Sequence, residues 1–303
     1  MNKFFLTPTL IIICGLSQII SAQGEPQNKW QDYINEAWGG NFRPFMEVSV
    51  GYGIPAQRNF ESDFSKDMGA GFIIGYSSIE RFKRFIPKLD ERFLYGSYLS
   101  TDLNIFNPDS KISSELERDP NRTDTTGNVY SKIATFGFGY RDGFGYALEP
   151  LVEIIPYNQV TISFTQFDFT PQDSLSQNDI AILERYNKAW RLGQTYSGGL
   201  KFQIFKSLAA TGSYDLAVTY PRLVFWEWFG SFLIQYGVTS AMTVYSEEIV
   251  NNAPLVGPLM YFALKNGLSF LFFRAMSYNM NWPFKSETPL TSVTIRLGAS
   301  ITF

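Results

Sequence analysis

The chain has 303 residues, of which 45% are apolar, 17% charged and 17% aromatic; Phe contributes 28 and Tyr 17, there is no His, and Cys14 is the one cysteine. So many aromatics exclude a disordered chain. The missing imidazole speaks against a cytosolic enzyme of the common kind, a mean hydropathy of −0.08 is too polar for a bundle of fully apolar helices, and a net charge of −3 argues against nucleic acid as a partner.

Residues 1–22 read as a cleaved secretory signal peptide: Lys3, an apolar run from Phe4 to Ile20, then Ser21-Ala22. Cleavage after Ala22 removes Cys14 and leaves a chain without thiols. A lipoprotein anchor on Cys14 needs a small residue before it, and Ile13 stands there instead. An uncleaved anchor in the inner membrane is the competing reading. Residues 23–44 form an N-terminal segment before the first strand, with Trp30, Tyr33, Ile34 and Trp38 at helical spacing.

From Met46 onward the period is two. Met46, Val48, Val50 and Tyr52 alternate with Glu47, Ser49, Gly51 and Gly53; Ala70, Phe72, Ile74 and Tyr76 alternate with Gly71, Gly75 and Ser77. Phe93–Ile105 is a third, less regular strand. Ala134, Phe136, Phe138 and Tyr140 make a fourth, ended by Arg141-Asp142-Gly143 as a tight hairpin turn. A fifth runs over Tyr146, Leu148, Val152 and Ile154, a sixth over Val160, Ile162 and Phe164, a seventh over Tyr196–Ile204 and an eighth over Tyr214–Tyr220. The connections at 53–67 and 107–127 are polar. Between strands six and seven, Ile180, Leu183, Tyr186 and Trp190 predict a short amphipathic helix within 174–192.

Residues 221–284 fit neither pattern cleanly. Leu223–Tyr245 is broken only by Glu227 and Gln235, and Ala253–Met276 only by Lys265 and Arg274. A helical insertion is expected here, with Pro221, Pro254 and Pro258 at helix starts. Strands turning at Asn266-Gly267 are the alternative. Trp226, Trp228 and Trp282 are expected as membrane-interface anchors. So apolar a pair of helices must pack against the remaining structure or a membrane surface.

The last strand is the most regular. Val293, Ile295, Leu297, Ala299, Ile301 and Phe303 fall on one face, with Ser292, Thr294, Arg296, Gly298, Ser300 and Thr302 on the other. This alternating strand closed by Phe303 resembles the C-terminal assembly signal of bacterial outer-membrane β-barrels. The resemblance implies an all-β fold, an antiparallel transmembrane barrel over residues 45–303 with the 221–284 insertion, and a periplasmic 23–44 segment. It also implies a Gram-negative outer-membrane location, with membrane lipid and the barrel-assembly machinery as partners. Nine strands are readable, but such barrels have even numbers. About ten are therefore expected, within a range of eight to twelve.

With apolar positions facing lipid, Glu47, Glu149, Glu153, Lys201, Asp215 and Arg296 fall inside. The first and last strands are neighbours in a closed barrel, so a Glu47–Arg296 pair is expected there. No catalytic motif, cofactor or metal site is read from the sequence: without His or thiolate, only weak oxygen sites remain for hard cations. The reading is a non-enzymatic, porin-like barrel with a structural, surface-interaction or partner-binding role. The alternatives are a channel or carrier for small apolar molecules gated by 221–284, and a lipid-modifying enzyme.

Overall fold

The computed structural model describes residues 41–83, 85–103, 129–149, 152–170 and 175–303. The expected export signal at 1–22, residues 23–40 and the 107–127 connection lie outside the described residues. Nine strands follow in chain order: β1 (Arg43–Ala56), β2 (Asp67–Lys83), β3 (Ile86–Ser100), β4 (Tyr130–Phe144), β5 (Tyr146–Glu149), β6 (Val152–Thr170), β7 (Trp190–Phe205), β8 (Leu208–Thr219) and β9 (Leu290–Thr302). Helix α1 (Gln177–Tyr186) lies between β6 and β7; α2 (Phe225–Asn252) and α3 (Gly257–Met276) lie between β8 and β9.

All pairings of the sheet are antiparallel, and eight of the nine strands close on themselves when β4 pairs with β6 from Tyr130↔Thr170 to Gly143↔Tyr157. β5 is a short extra strand that pairs with the start of β6. Closure carries a stagger. From Val48 the paired row runs through Phe72, Gly96, Phe136 and Phe164 to Leu192 on β7. In the other direction it runs through Ala299 and Ala210 to Phe202. The two arrivals differ by ten residues (202 − 192), the shear that tilts the strands and lets a side-chain-filled barrel close.

The strand count comes down from about ten to eight for a local reason. Tyr146, Leu148, Val152 and Ile154 are not one strand but straddle the β5–β6 turn, and Ile154, Val160, Ile162 and Phe164 all belong to the single long β6. Arg141-Asp142-Gly143 is not a turn either; it lies inside β4, paired with Gln159, Asn158 and Tyr157. The turn preference of Asp-Gly is local, and long-range partners described below override it.

Apolar and polar faces separate as strand alternation dictates. Val48, Val50, Phe72, Phe136, Ile295 and Leu297 point outward and are at least half exposed. Glu47, Glu91, Arg141, Ser163, Lys201 and Ser300 point inward and are buried. Both ends of the barrel chain, Arg43 and Thr302, lie at one rim. The short turn 206–207 and the strand ends Lys83, Ile86 and Val152 share that rim, and the longer connections 57–66 and 220–289, with α1, lie at the other.

The 221–284 segment is helical. Pro258 occupies the first turn of α3, as expected of proline, but α2 starts at Phe225, past Pro221, and Asn266-Gly267 sits within α3. The helices are inverted relative to a water-soluble amphipathic helix. α2 buries Ser231, Gln235, Ser246 and Val250, and α3 buries Tyr261, Lys265, Asn266, Ser269, Phe272 and Met276. Their exposed sides carry Phe229, Leu233, Val244, Leu259 and Leu271. The two helices approach closely at their shared tip, where a Cβ on Gly257 would stand 2.5 Å from Val250 Cα. Among the described residues no helix is long and apolar enough to cross a membrane.

Candidate functional site

The interior is built from one inward side chain per two residues of each strand, and at mid-height those side chains are charged. Arg141 of β4 donates from Nη1 to Glu47 of β1 and to Glu91 of β3, each at 2.9 Å, and from Nε to Gln159 of β6 at 3.0 Å. Lys201 of β7 donates to the other Glu91 oxygen, which also accepts from the Ser77 hydroxyl at 2.9 Å. Arg296 of β9 pairs with Asp215 of β8, and its guanidinium lies 5.3 Å from the Tyr95 ring centre. The Arg141 guanidinium stacks 4.3 Å from the Tyr157 ring centre. Three acids thus face three bases, each charge meeting its opposite, as burial away from water demands.

Apolar layers close this ionic core above and below. Toward the turn-bearing rim stand Leu89, Ile155 and Tyr157, with Phe45, Ile73, Phe93 and Tyr95 beside them. At the other rim α1 lies over the opening, packing Ile182, Leu183 and Tyr186 on Leu99, Ile133, Phe167 and Phe169. Ser176 caps the helix by accepting from the Asp179 N–H at 3.1 Å. The Asp179 carboxylate in turn accepts from the Glu61 and Ser62 N–H groups at 2.9 and 3.0 Å, tying down the β1–β2 connection. Burial pushes the Tyr186 phenol above its ordinary range, so its oxygen stays protonated while accepting from the Leu290 N–H.

The sequence-derived residues divide among these surroundings. Glu47, Lys201, Asp215 and Arg296 meet in the ionic core. Glu153 pairs with Arg81 at 2.7 Å near the turn-bearing rim. Glu149 ends β5, and its side chain lies outside the described residues. The expected Glu47–Arg296 pair is not formed: Glu47 binds Arg141, and Arg296 binds Asp215. Strand adjacency put the two together, but direct register decides. Glu47 faces Ser300 across the β1–β9 ladder, while Arg296 faces Gly51. Glu91 and Arg141, which sequence reasoning missed, carry the core. Arg141 was hidden by the false turn and Glu91 by placing the third strand too late. Trp226 is exposed at the start of α2, while Trp228 and Trp282 pack beside Tyr220, Phe272 and Met280. Phe303 donates its N–H to the Pro44 carbonyl at 2.9 Å, continuing the β1–β9 seam.

A second polar arrangement stands on the outside of the wall. Asp142, Asn158 and Gln194 occupy outward positions of β4, β6 and β7, where apolar residues are the rule, and α2 and α3 cover them. Asp142 accepts from Lys265 and from the Tyr261 hydroxyl, both on α3. Asn158 donates to Asn266 Oδ1 at 3.1 Å and to the Ser269 hydroxyl at 3.0 Å. Gln235 of α2 accepts from the Tyr196 hydroxyl and from Gln194. Close approach requires Gly198: a Cβ there would lie 2.3 Å from Asn266 Oδ1. At the tip, Lys88 pairs with Glu247 at 2.8 Å and the Tyr146 hydroxyl donates to the Leu255 carbonyl at 2.7 Å. The helical hairpin therefore rides on the outer face of the barrel and does not enter the lumen as a plug.

Chemically, the interior is restrained. Its carboxylates are held by fixed cations, and among the described residues no group of three or more His, Cys, Asp or Glu is placed to hold a metal.

No family model matches the chain, and no curated protein matches it in sequence. Among solved structures it is similar to Neisserial surface protein A (NspA), at 7% identity with a TM-score of 0.37, covering 86% of this chain and 97% of that one. It is also similar to Ail, the attachment invasion locus protein of Yersinia pestis, at 9% identity with a TM-score of 0.30, covering 86% and 99%. Likenesses of this size carry no functional argument. The chain itself folds as a closed eight-stranded antiparallel barrel with an apolar outer belt and a polar interior, the arrangement a membrane-spanning barrel requires.

Proposed function

We propose that the chain is a non-conducting, non-enzymatic protein of the Gram-negative outer membrane, inserted after export through the 1–22 signal, that works through its surfaces. The filled, charge-balanced lumen carries this reading. A transport pore needs a continuous polar path, whereas here Arg141, Lys201 and Tyr157 are fully buried in the middle and α1 seals one mouth.

The membrane setting is supported by the outward belt and by the inverted helices. Polar groups such as Asp142 and Lys265 are buried against each other while Leu233, Leu259 and Leu271 are exposed, which is favourable in lipid and costly in water. By the usual asymmetry of these barrels, the rim with short turns faces the periplasm and the rim with long connections faces outward. Trp226, Trp228 and Trp282 then sit near the outer interface as anchors, and Phe303 presents the end recognised by the assembly machinery. The long connections and the α1 cap form the partner-binding face.

The test is conductance in a planar bilayer. Purified folded protein is expected to give no steady single-channel steps under an applied voltage. Reproducible open steps would overturn the proposal and return the channel reading.

A further inference from the structure

We infer that Arg58 and Arg274, drawn together on the ring of Tyr278, bind the phosphate of a membrane-lipid head group at the outer end of the helical hairpin. This rests on the membrane reading above and assigns a ligand and a place that reading does not supply.

The last turns of α3 carry half of the site. The exposed stripe of α3 is apolar through Phe270 and Leu271, becomes cationic at Arg274 one turn later, and runs on to the exposed Tyr278. This end of α3 lies beside the start of α2, where Trp226 is exposed and Asn281 donates to the Glu227 carboxylate at 3.1 Å. An apolar stripe that gives way to an indole and a cation marks the step from hydrocarbon to head groups.

The second cation comes from elsewhere in the chain. Arg58 belongs to the β1–β2 connection, and its guanidinium carbon stands 3.9 Å from the Tyr278 ring centre. That of Arg274 stands 5.1 Å from the same centre. The two carbons are therefore at most 9.0 Å apart, the sum of those distances. A phosphate whose oxygens accept from a guanidinium on each side bridges such a span.

The carboxylates on the neighbouring segments have other partners: Glu287 holds Arg185 and Arg222, and Glu227 holds Asn281. Among the described residues no carboxylate, Glu61 and Asp63 of the same connection included, forms an ion pair with Arg58 or Arg274. Two simpler accounts fall short. A tyrosine ring holds one exposed guanidinium weakly, but a second of the same sign repels the first. The negative end of α3 favours Arg274 and gives no reason for Arg58 to join it. A shared anion accounts for both, and a lipid brings that anion together with acyl chains for the Phe270–Leu271 stripe.

The experiment uses the full folded barrel in an uncharged detergent, with bound lipid counted by native mass spectrometry. The probes are dioleoyl phosphatidate, dioleoylglycerol, which lacks the phosphate, and inorganic phosphate as competitor. The wild type should retain about one phosphatidate per chain and no dioleoylglycerol. Arg58→Gln and Arg274→Gln should each weaken retention about fivefold or more. Lys206→Gln, which removes an exposed cation at the opposite rim, should leave it unchanged. Equal retention by wild type, Arg58→Gln and Arg274→Gln would overturn the inference, as would an equal loss in Lys206→Gln, which signals net charge alone. Release of the lipid by millimolar inorganic phosphate would overturn the lipid assignment and give the site to a free anion. Flotation with phosphatidylcholine vesicles separates the two readings. Protein that floats without any dependence on the two arginines refutes the site alone; protein that does not float contradicts the membrane reading and the site with it.

Discussion

Arg141 is held between two glutamates from different strands, with Gln159 on its third side and the Tyr157 ring against its face. Removing it leaves Glu47 uncompensated and Glu91 with Lys201 alone, in a place water does not reach. Breaking a buried pair in this way costs about 3–5 kcal/mol. Arg141→Met is therefore expected to lower the temperature at which the folded barrel loses its compact migration on a gel by a large margin. A double-mutant cycle sharpens the assignment. Glu47→Gln should couple strongly to Arg141→Met and weakly to Arg296→Ala, because Arg296 is engaged by Asp215. Equal couplings would contradict the described pairing. Which residues are charged and inward was legible from alternation for Glu47, Lys201, Asp215 and Arg296. Which of them touch was not, because partners are chosen by register and shear across the closed wall.

The hairpin of α2 and α3 shows how elements are positioned by exceptions to a pattern. Asp142, Asn158 and Gln194 break the apolar outer row, and each break lies under a polar side chain of a helix. Gly198 makes the approach possible by leaving out a side chain. Gly198→Leu should therefore lift α3 from the wall without opening the barrel. The expected result is faster amide exchange over 257–276 with heat-modifiable migration retained; unchanged exchange would remove Gly198 from the contact. The sequence made these helices visible through their long apolar runs. It could not place them, since Asp142 and Lys265 are 123 residues apart and Asp142-Gly143 imitates a turn. The last strand was readable in full for the opposite reason: every residue from Ser292 to Thr302 takes its face from its neighbours alone.

At the scale of the molecule, an eight-stranded wall leaves only enough interior for side chains, and here they are mutually neutralising. With the interior filled, the surfaces left open to partners are the outer wall and the rims, and the hairpin lies on the outer wall. Cys14 is the one cysteine of the chain, so in a Cys14→Ser background an introduced cysteine pair makes this directly measurable. A Cβ at position 198 would lie 2.3 Å from Asn266 Oδ1, an atom two bonds from the Asn266 Cβ, close enough for a disulfide to form. Ser197, the next residue, faces the lumen and is buried there. The decisive measurement is oxidative crosslinking of two double variants in membranes, followed by mass spectrometry of the linked peptides. Gly198→Cys with Asn266→Cys is predicted to crosslink, and Ser197→Cys with Asn266→Cys to stay reduced. Crosslinking through position 197 and not 198 would put the hairpin inside the barrel and contradict the account.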